Sequence, residues 1–389
     1  MAGTRVITPT VVGRLALMLL SNTLVGTATF SRRHQPMFTG AEKIGDTVKV
    51  RRRQAGTVIR TSPYSQGTNT FQSPPETSIN VVIENNHRIP IDIAPGDFDL
   101  DLQTFAEQIL APQVVALAED VDLYALTKFK EIPKVGGTGR TAPGALPASA
   151  GDLAGIERDL FDQKCPMQGL IHCCSGELAE GLISSGTISG ANQRGDGGSA
   201  LENATIGRVM ALNHVRTQGI DTATFTSGTM ATLVLNGAHA AGATTITYDG
   251  GDQASGTFKK YDIVTIAGYG NVVVAANAAA TSNAGSFTIF EPLRSDVADN
   301  TAATVYDGGG NTRQLHGAAY HEDAFSFISL PGEDPMGGVQ SAIVQEGNVG
   351  IRVIYGYNMS NNKNQMTLDL YSGCTLVDGR LAVQTVKNI

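Results

Sequence analysis

The sequence predicts a mixed α+β chain of several parts, and three stretches carry that prediction. Residues 78–93 alternate cleanly: Ile79, Val81, Ile83, Ile89, Ile91 and Ile93 share one parity, while Ser78, Asn80, Glu84, Asn86, Arg88 and Asp92 share the other. That is the period of a strand with one buried face. Residues 101–130 space Leu102, Phe105, Ile109, Leu117, Val121, Tyr124 and Phe129 at helical intervals. From 221 to 314 helical periodicity vanishes, and short Thr, Val and Ile runs alternate with Gly, Asp and Asn turns.

Composition narrows the class. A chain of 389 residues suggests two or three domains at roughly 150 residues each. Charged residues are 16%, below the usual ~25%, and glycine is abundant, with 45 in the chain. The apolar content excludes a disordered chain. Four cysteines are too sparse for a disulfide scaffold and are expected to be reduced thiols. A net charge of −8 argues against a sequence-reading DNA protein, which needs a basic footprint. A weakly charged, glycine-rich chain suits a protein that buries much of its surface against other protein.

The elements follow in order. Residues 1–45 form an arm with one helix, Thr8 capping it, Pro9 at its first position and Val12, Leu15 and Leu19 on one face. The apolar run 15–20 is too short to span a bilayer, so no membrane partner is expected. Residues 46–95 form an extended hairpin: 47–60 pairs antiparallel with 78–93 across a Pro- and Gly-containing coil, 61–76. An isolated hairpin is marginal in water, so its apolar face needs a surface, which a neighbouring subunit can supply. Residues 96–134 hold the long helix, with Asp97, Asp99 and Asp101 at its N-terminal end and Pro112 expected to kink or split it.

Residues 135–220 read as α/β material. Ser149 and Asp152 resemble a capping box opening a helix to about Lys164. A buried strand is expected over 168–174, then a helix capped by Ser175, then a Gly/Ser/Asn loop over 186–200. Residues 221–314 are expected to form a small β-barrel or sandwich with strands at 229–235, 244–248, 262–267, 272–275 and 286–290. In 315–389, Phe325 and Phe327 alternate along a strand, 350–357 and 366–371 are strands, and Asp378-Gly379 makes a tight turn between 374–377 and 380–386.

Catalytic signatures are missing. Nothing fits the phosphate-cradling P-loop, the dinucleotide fingerprint or the nucleophile elbow. No catalytic, cofactor-binding or metal residue is assigned, no cofactor is expected, and the chain reads as a non-enzyme. His172, Cys173 and Cys174 are adjacent, so on a strand they cannot all converge on one ion, and a packing role is expected. His316 and His321 with Glu322 and Asp323 match no zinc spacing and read as a solvated turn. The densest basic patch joins Arg51, Arg52 and Arg53 to Lys43, Lys49 and Arg60. Three readings compete for it: DNA phosphates, acidic groups on a neighbouring subunit, or a solvated strand face. Strand alternation points Arg52 away from Arg51 and Arg53. The subunit-interface residues named on this basis are Lys49, Arg51, Arg53, Arg60, Ile79, Val81 and Ile83.

The order of parts, with strings such as GDTVKVRRR entering the hairpin, TFKKYDIVTIAGY from Thr257, AAYHEDAFSFISLP and IRVIYGYN, resembles bacteriophage major capsid proteins of the Hong Kong ninety-seven fold. It is most similar to the coat-protein branch of the short-tailed Salmonella transducing phage. The resemblance covers most of the chain. It implies an N-terminal arm, an extended β-hairpin called the E-loop, a long spine helix, an α/β axial domain split into 135–220 and 315–389, and an inserted β-barrel at 221–314. It further implies pentamers and hexamers of the chain itself in an icosahedral virion capsid, assembled in the host bacterial cytoplasm around double-stranded DNA bound non-specifically. A scaffolding protein and a portal protein are implied partners, and a decoration protein stays open. The alternatives are a tail-tube or sheath subunit, an encapsulin-type compartment shell, and a hydrolase with its site in 149–220.

Overall fold

The computed structural model describes residues 8–38, 44–52, 77–93, 102–136, 146–185, 206–335, 339–346, 349–360 and 363–389. Arg53, Arg60, Lys43, the three aspartates at 97, 99 and 101, the 61–76 coil and the 186–200 loop lie outside them. The chain divides into two compact units: Met1–Val48 with Val81–Thr224 and Arg313–Ile389, and Lys49–Asn80 with Phe225–Thr312.

In the first unit, helix α1 runs Pro9–Thr23, and the Thr8 side chain accepts from Val11 N as expected of the cap. Its buried face is Val12, Gly13, Ala16, Leu17 and Leu20. Leu15 and Leu19, expected there, are only half-buried on its flank. The reason is Gly13: a Cβ at that position would stand 2.8 Å from Val344 Cγ2. Glycine thus lets the helix press onto the strands Gln340–Glu346 and Val349–Asn358. The segment after α1 is packed inward rather than left in solvent. Phe30 is 4% exposed and meets Phe129, Tyr320 and Phe325 with ring centroids 6.0, 5.5 and 4.8 Å away.

The long helix is interrupted as Pro112 demands. Helix α2 spans Leu102–Phe105, a π-helical turn spans Ala106–Leu110, and α3 spans Ala111–Thr127. Proline has no N–H and its ring crowds the preceding turn, and a π-bulge is a common accommodation. Helices α4 (Ala150–Asp162) and α5 (Gly176–Ile183) begin at the expected caps, Ser149 and Ser175.

Two sheets complete this unit. In one, Lys363–Leu376 is central; Asn85–Ile93 lies along one edge, and Val349–Asn358 and Phe325–Leu330 share the other. Pro90 sits in the edge strand, where a missing donor costs least. In the other sheet the order is Ala382–Asn388, Thr312–His321, Leu170–Cys174, Leu212–Arg216, Arg208–Val209, and the third and fourth run parallel. Leu153, Ile156, Leu160, Leu178 and Leu182 from α4 and α5 cluster with Leu170, Leu212, Ala319 and Val383 of this sheet.

Two expectations in this half are corrected. Asp378-Gly379 does not close a hairpin: Asp378 caps a short 3-10 turn, Gly379–Leu381, and the chain crosses from one sheet to the other, where Ala382–Asn388 pairs with Thr312–His321. Phe325–Leu330 is buried on both faces as far as Ser329 rather than alternating, because the Phe30 and Phe129 rings close over one side.

The second unit holds a six-stranded antiparallel sheet ordered Gly270–Val273, Ile263–Ile266, Ala302–Val305, Thr232–Leu235, Thr245–Gly251, Gly285–Thr288. Its two outer strands are themselves bonded: Ala275 N donates to Thr288 O at 2.7 Å and Phe290 N to Val273 O at 3.1 Å, around the bridge Val274–Ile289. Tyr248, Phe258 and Phe287 fill its core with Leu233, Ile246, Val264 and Ile266. The strand Ala302–Val305 was not anticipated, since four small and β-branched residues give no detectable alternation. Among the described residues, no helix is long and apolar enough to cross a membrane.

Candidate assembly surface

The hairpin stem pairs Thr47–Arg51 with Ser78–Val82. Ile83 N donates to Asp46 O at 3.1 Å and Arg52 N to Thr77 O at 3.0 Å, which fixes the antiparallel sense. Alternation places Lys49 and Arg51 in solvent and Val50 and Arg52 inside. Ile79, Val81 and Ile83 are 8%, 0% and 1% exposed in the single chain. Their burial corrects the premise that this apolar face must wait for a neighbour: the chain covers it itself. Ile89 and Ile91 stay half-buried.

The expected single strand over 78–93 is also two strands. Ser78–Val82 pairs within the hairpin, whereas Asn85–Ile93 pairs with Lys363–Leu376. Parity is kept across the break at Ile83-Glu84, so the periodicity conceals it.

Arg52 finds its acidic partner within its own chain. The guanidinium pairs with Glu291, and Nη1 donates to Pro292 O at 3.2 Å. Arg294 binds the same carboxylate. A buried guanidinium is tolerable only when paired, so Glu291 fixes where the middle arginine points.

The stem's root is tied to α3. Tyr124 Oη donates to Glu84 Oε2 at 2.6 Å, and Lys128 Nζ to the same oxygen at 3.1 Å. Burial lowers the Lys128 pKa, but Glu131 and Glu84 outweigh it and hold the ammonium above its ordinary value. Burial, reinforced by Glu84, pushes the Tyr124 phenol upward, so it stays a donor. His87 Nδ1 lies 2.5 Å from Asp120 Oδ2 and Nε2 lies 2.7 Å from Ser372 Oγ. From sequence, Glu84 and Tyr124 entered only through periodicity, and Lys128, Glu131, His87, Asp120 and Ser372 not at all. The available signal was His87, a polar residue on the buried parity.

The remaining candidates separate. His316 is 2% exposed within Thr312–His321 and lies 3.0 Å from Ser175 Oγ, so it is not in a solvated turn. His321 Nδ1 accepts from Asp323 N and caps the short turn Glu322–Ala324. His172 and Cys174 share one face of Leu170–Cys174, and Cys173 takes the other. Sequence reasoning missed the third member of their cluster, His214, which stands opposite His172 on the parallel neighbour.

No protein-family model matches the chain, and no curated protein matches it. Solved structures do. A chain from Mycobacterium phage Che8 superposes with a TM-score of 0.52 at 13% identity, over 93% of this chain and 90% of that one. The capsid structure of cyanophage P-SCSP1u gives 0.47 at 10% identity over 92% and 86%. The capsid of Ralstonia phage GP4 gives 0.44 at 9% over 94% and 90%. The Che8 likeness carries the fold assignment: over nearly its whole length this α+β chain shares the fold of a phage protein, as the capsid resemblance implied.

Proposed function

We propose that the chain is a phage major capsid protein, many copies of which form an icosahedral shell around double-stranded DNA. The observation that carries this reading is the near full-length likeness to the Mycobacterium phage Che8 chain. Three local features support it. A two-stranded stem presents Lys49 and Arg51 outward. An interrupted long helix holds the root of that stem through Glu84 and His87. The net charge of −8 limits adhesion of packaged DNA to the shell.

Finer points belong to the same reading. The sheet of residues 225–312, bonded edge to edge, corresponds to the inserted β-barrel of the short-tailed Salmonella phage branch. Lys49 and Arg51, with Arg53 and Arg60, meet acidic groups of a neighbouring subunit. A scaffolding protein and a portal protein take part in assembly in the host cytoplasm. The chain is a structural protein without a catalytic role.

Negative-stain electron microscopy of the chain expressed alone, after size fractionation, tests the proposal. Closed shells or curved polyheads are the expected result. Stacked tubes of constant diameter overturn it in favour of a tail protein. Monomer alone sends the test to co-expression with a scaffolding protein, where continued absence of shells overturns it.

A further inference from the structure

The parallel pair Leu170–Cys174 and Leu212–Arg216 places His172 directly opposite His214, with Cys174 two residues along on the same face. Three donor atoms converge there. His172 Nδ1 and His214 Nδ1 are 3.1 Å apart, and Cys174 Sγ lies 3.5 Å from the first and 3.8 Å from the second. Zinc binds imidazole nitrogen at ~2.0–2.1 Å and thiolate at ~2.3 Å, so tetrahedral ligands stand roughly 3.3 Å apart for two nitrogens and 3.6 Å for nitrogen and sulfur. The observed N–N separation of 3.1 Å lies just below the first value, and the 3.5 and 3.8 Å S–N separations lie either side of the second. Among the described residues this is the one group of His, Cys, Asp and Glu side chains that brings three donors so close.

We propose that His172, Cys174 and His214 form a metal site for a borderline-soft divalent ion of the zinc class, leaving a fourth position for water. Two imidazoles and one thiolate select such an ion over magnesium or calcium, which require oxygen donors. The surroundings suit it. Cys174 belongs to the apolar cluster under α4 and α5, which excludes competing water, and His214 is partly exposed. Coordination breaks the S–H bond, forms a metal–sulfur bond and passes one proton to solvent buffer for each ion bound. The ion would tie together two strands whose connection includes residues 186–200.

The test is titration of the full chain, stripped with chelator, with cobalt(II) as probe and zinc as competitor. One equivalent per chain is expected, with visible d–d bands of a tetrahedral centre, a thiolate-to-cobalt charge-transfer band, and displacement of both by zinc. In C174S the charge-transfer band disappears, and in H214Q affinity falls at least tenfold, with far-ultraviolet circular dichroism unchanged in both. H214Q alters a half-exposed side chain and so keeps the test open if C174S misfolds. Absence of both bands in the parent overturns the proposal. So does a charge-transfer band that survives in C174S, or affinity unaltered in folded H214Q, since the ion is then held elsewhere.

Discussion

Removing the Asp122 carboxylate is expected to loosen the N-terminal arm from the first unit. Asp122 is 5% exposed on α3. Its Oδ2 accepts from Val25 N and Gly26 N, both at 3.0 Å, and its Oδ1 from Thr27 N at 3.0 Å and Thr27 Oγ1 at 2.6 Å. This is an anion held by successive backbone N–H groups. Hydrogen bonds to a charged acceptor contribute ~1.5–3 kcal/mol each, but four that share one carboxylate are not additive. Asp122→Ala also leaves backbone donors buried, and ~3–5 kcal/mol is the expected loss, the scale for removing one partner of a buried charged pair. At about 2–4 °C per kcal/mol, the thermal transition should fall by roughly 6–20 °C. Asp122→Asn keeps one acceptor oxygen but turns an amide towards the donors, so it should fall between parent and alanine variant. Thermal melts of the unassembled chain, with limited proteolysis mapping cuts within 24–38, read the effect. A shift under ~2 °C with no faster cleavage there would refute the idea that this carboxylate holds the arm.

Three further outcomes are expected. Arg352 Nε donates to Asp369 Oδ1 at 2.9 Å and Nη2 pairs with Oδ2, both side chains being buried; Asp369→Asn should cost ~3–5 kcal/mol, and the pair Arg352→Met with Asp369→Leu should recover much of it. A urea double-mutant cycle giving additive effects would contradict that coupling. His34 and His316 both have lowered folded-state pKa values, from burial first, then from Arg33 and Lys387 respectively, against opposing pulls from Asp323 and Glu177. The unfolded state therefore binds more protons just below the ordinary histidine value, and stability falls as pH drops through ~6.5; the transition should be lower at pH 5.5 than at 7.5, and less so in His316→Gln, whereas equal pH dependence in the two chains would count against it. If Lys49 and Arg51 steer subunits together, shell yield should drop as salt rises past the Debye range of ~10 Å at 0.1 M, and Lys49→Glu with Arg51→Glu should abolish shells while leaving the monomer melt within ~2 °C; salt-independent assembly of the parent would place the driving contacts elsewhere.

Local chemistry was legible and long-range pairing was not. The caps at Thr8, Ser149 and Ser175 and the break near Pro112 follow from one turn of chain each, and the structure has them where the residues put them. The periodicity of 78–93 gave the correct buried parity, yet it could not reveal the change of partner at Ile83-Glu84, because both partners demand the same parity. Asp378-Gly379 is a legitimate turn dipeptide, and only the pairing of Ala382–Asn388 with Thr312–His321 makes it a crossover. Arg52 and Glu291 lie 239 positions apart, and Asp122 caps a turn almost a hundred residues upstream. No window of sequence contains either pair.

The hairpin stem replaces one premise of the sequence reading with another. The apolar stripe of Ile79, Val81 and Ile83 seemed to require a neighbour, but the protomer buries it, so hydrophobic exposure is not what calls for assembly at this stem. What remains outward is charge, and the structure sorts it. Arg52 is neutralised from within by Glu291, while Lys49 and Arg51 keep their side chains in solvent. Under the proposed assembly, exposed cations in high dielectric contribute little until a neighbouring subunit's carboxylates desolvate them. Contacts of that kind are individually weak and reversible. Repeated around the proposed shell, they would allow misplaced subunits to leave, which an exposed isoleucine stripe would not.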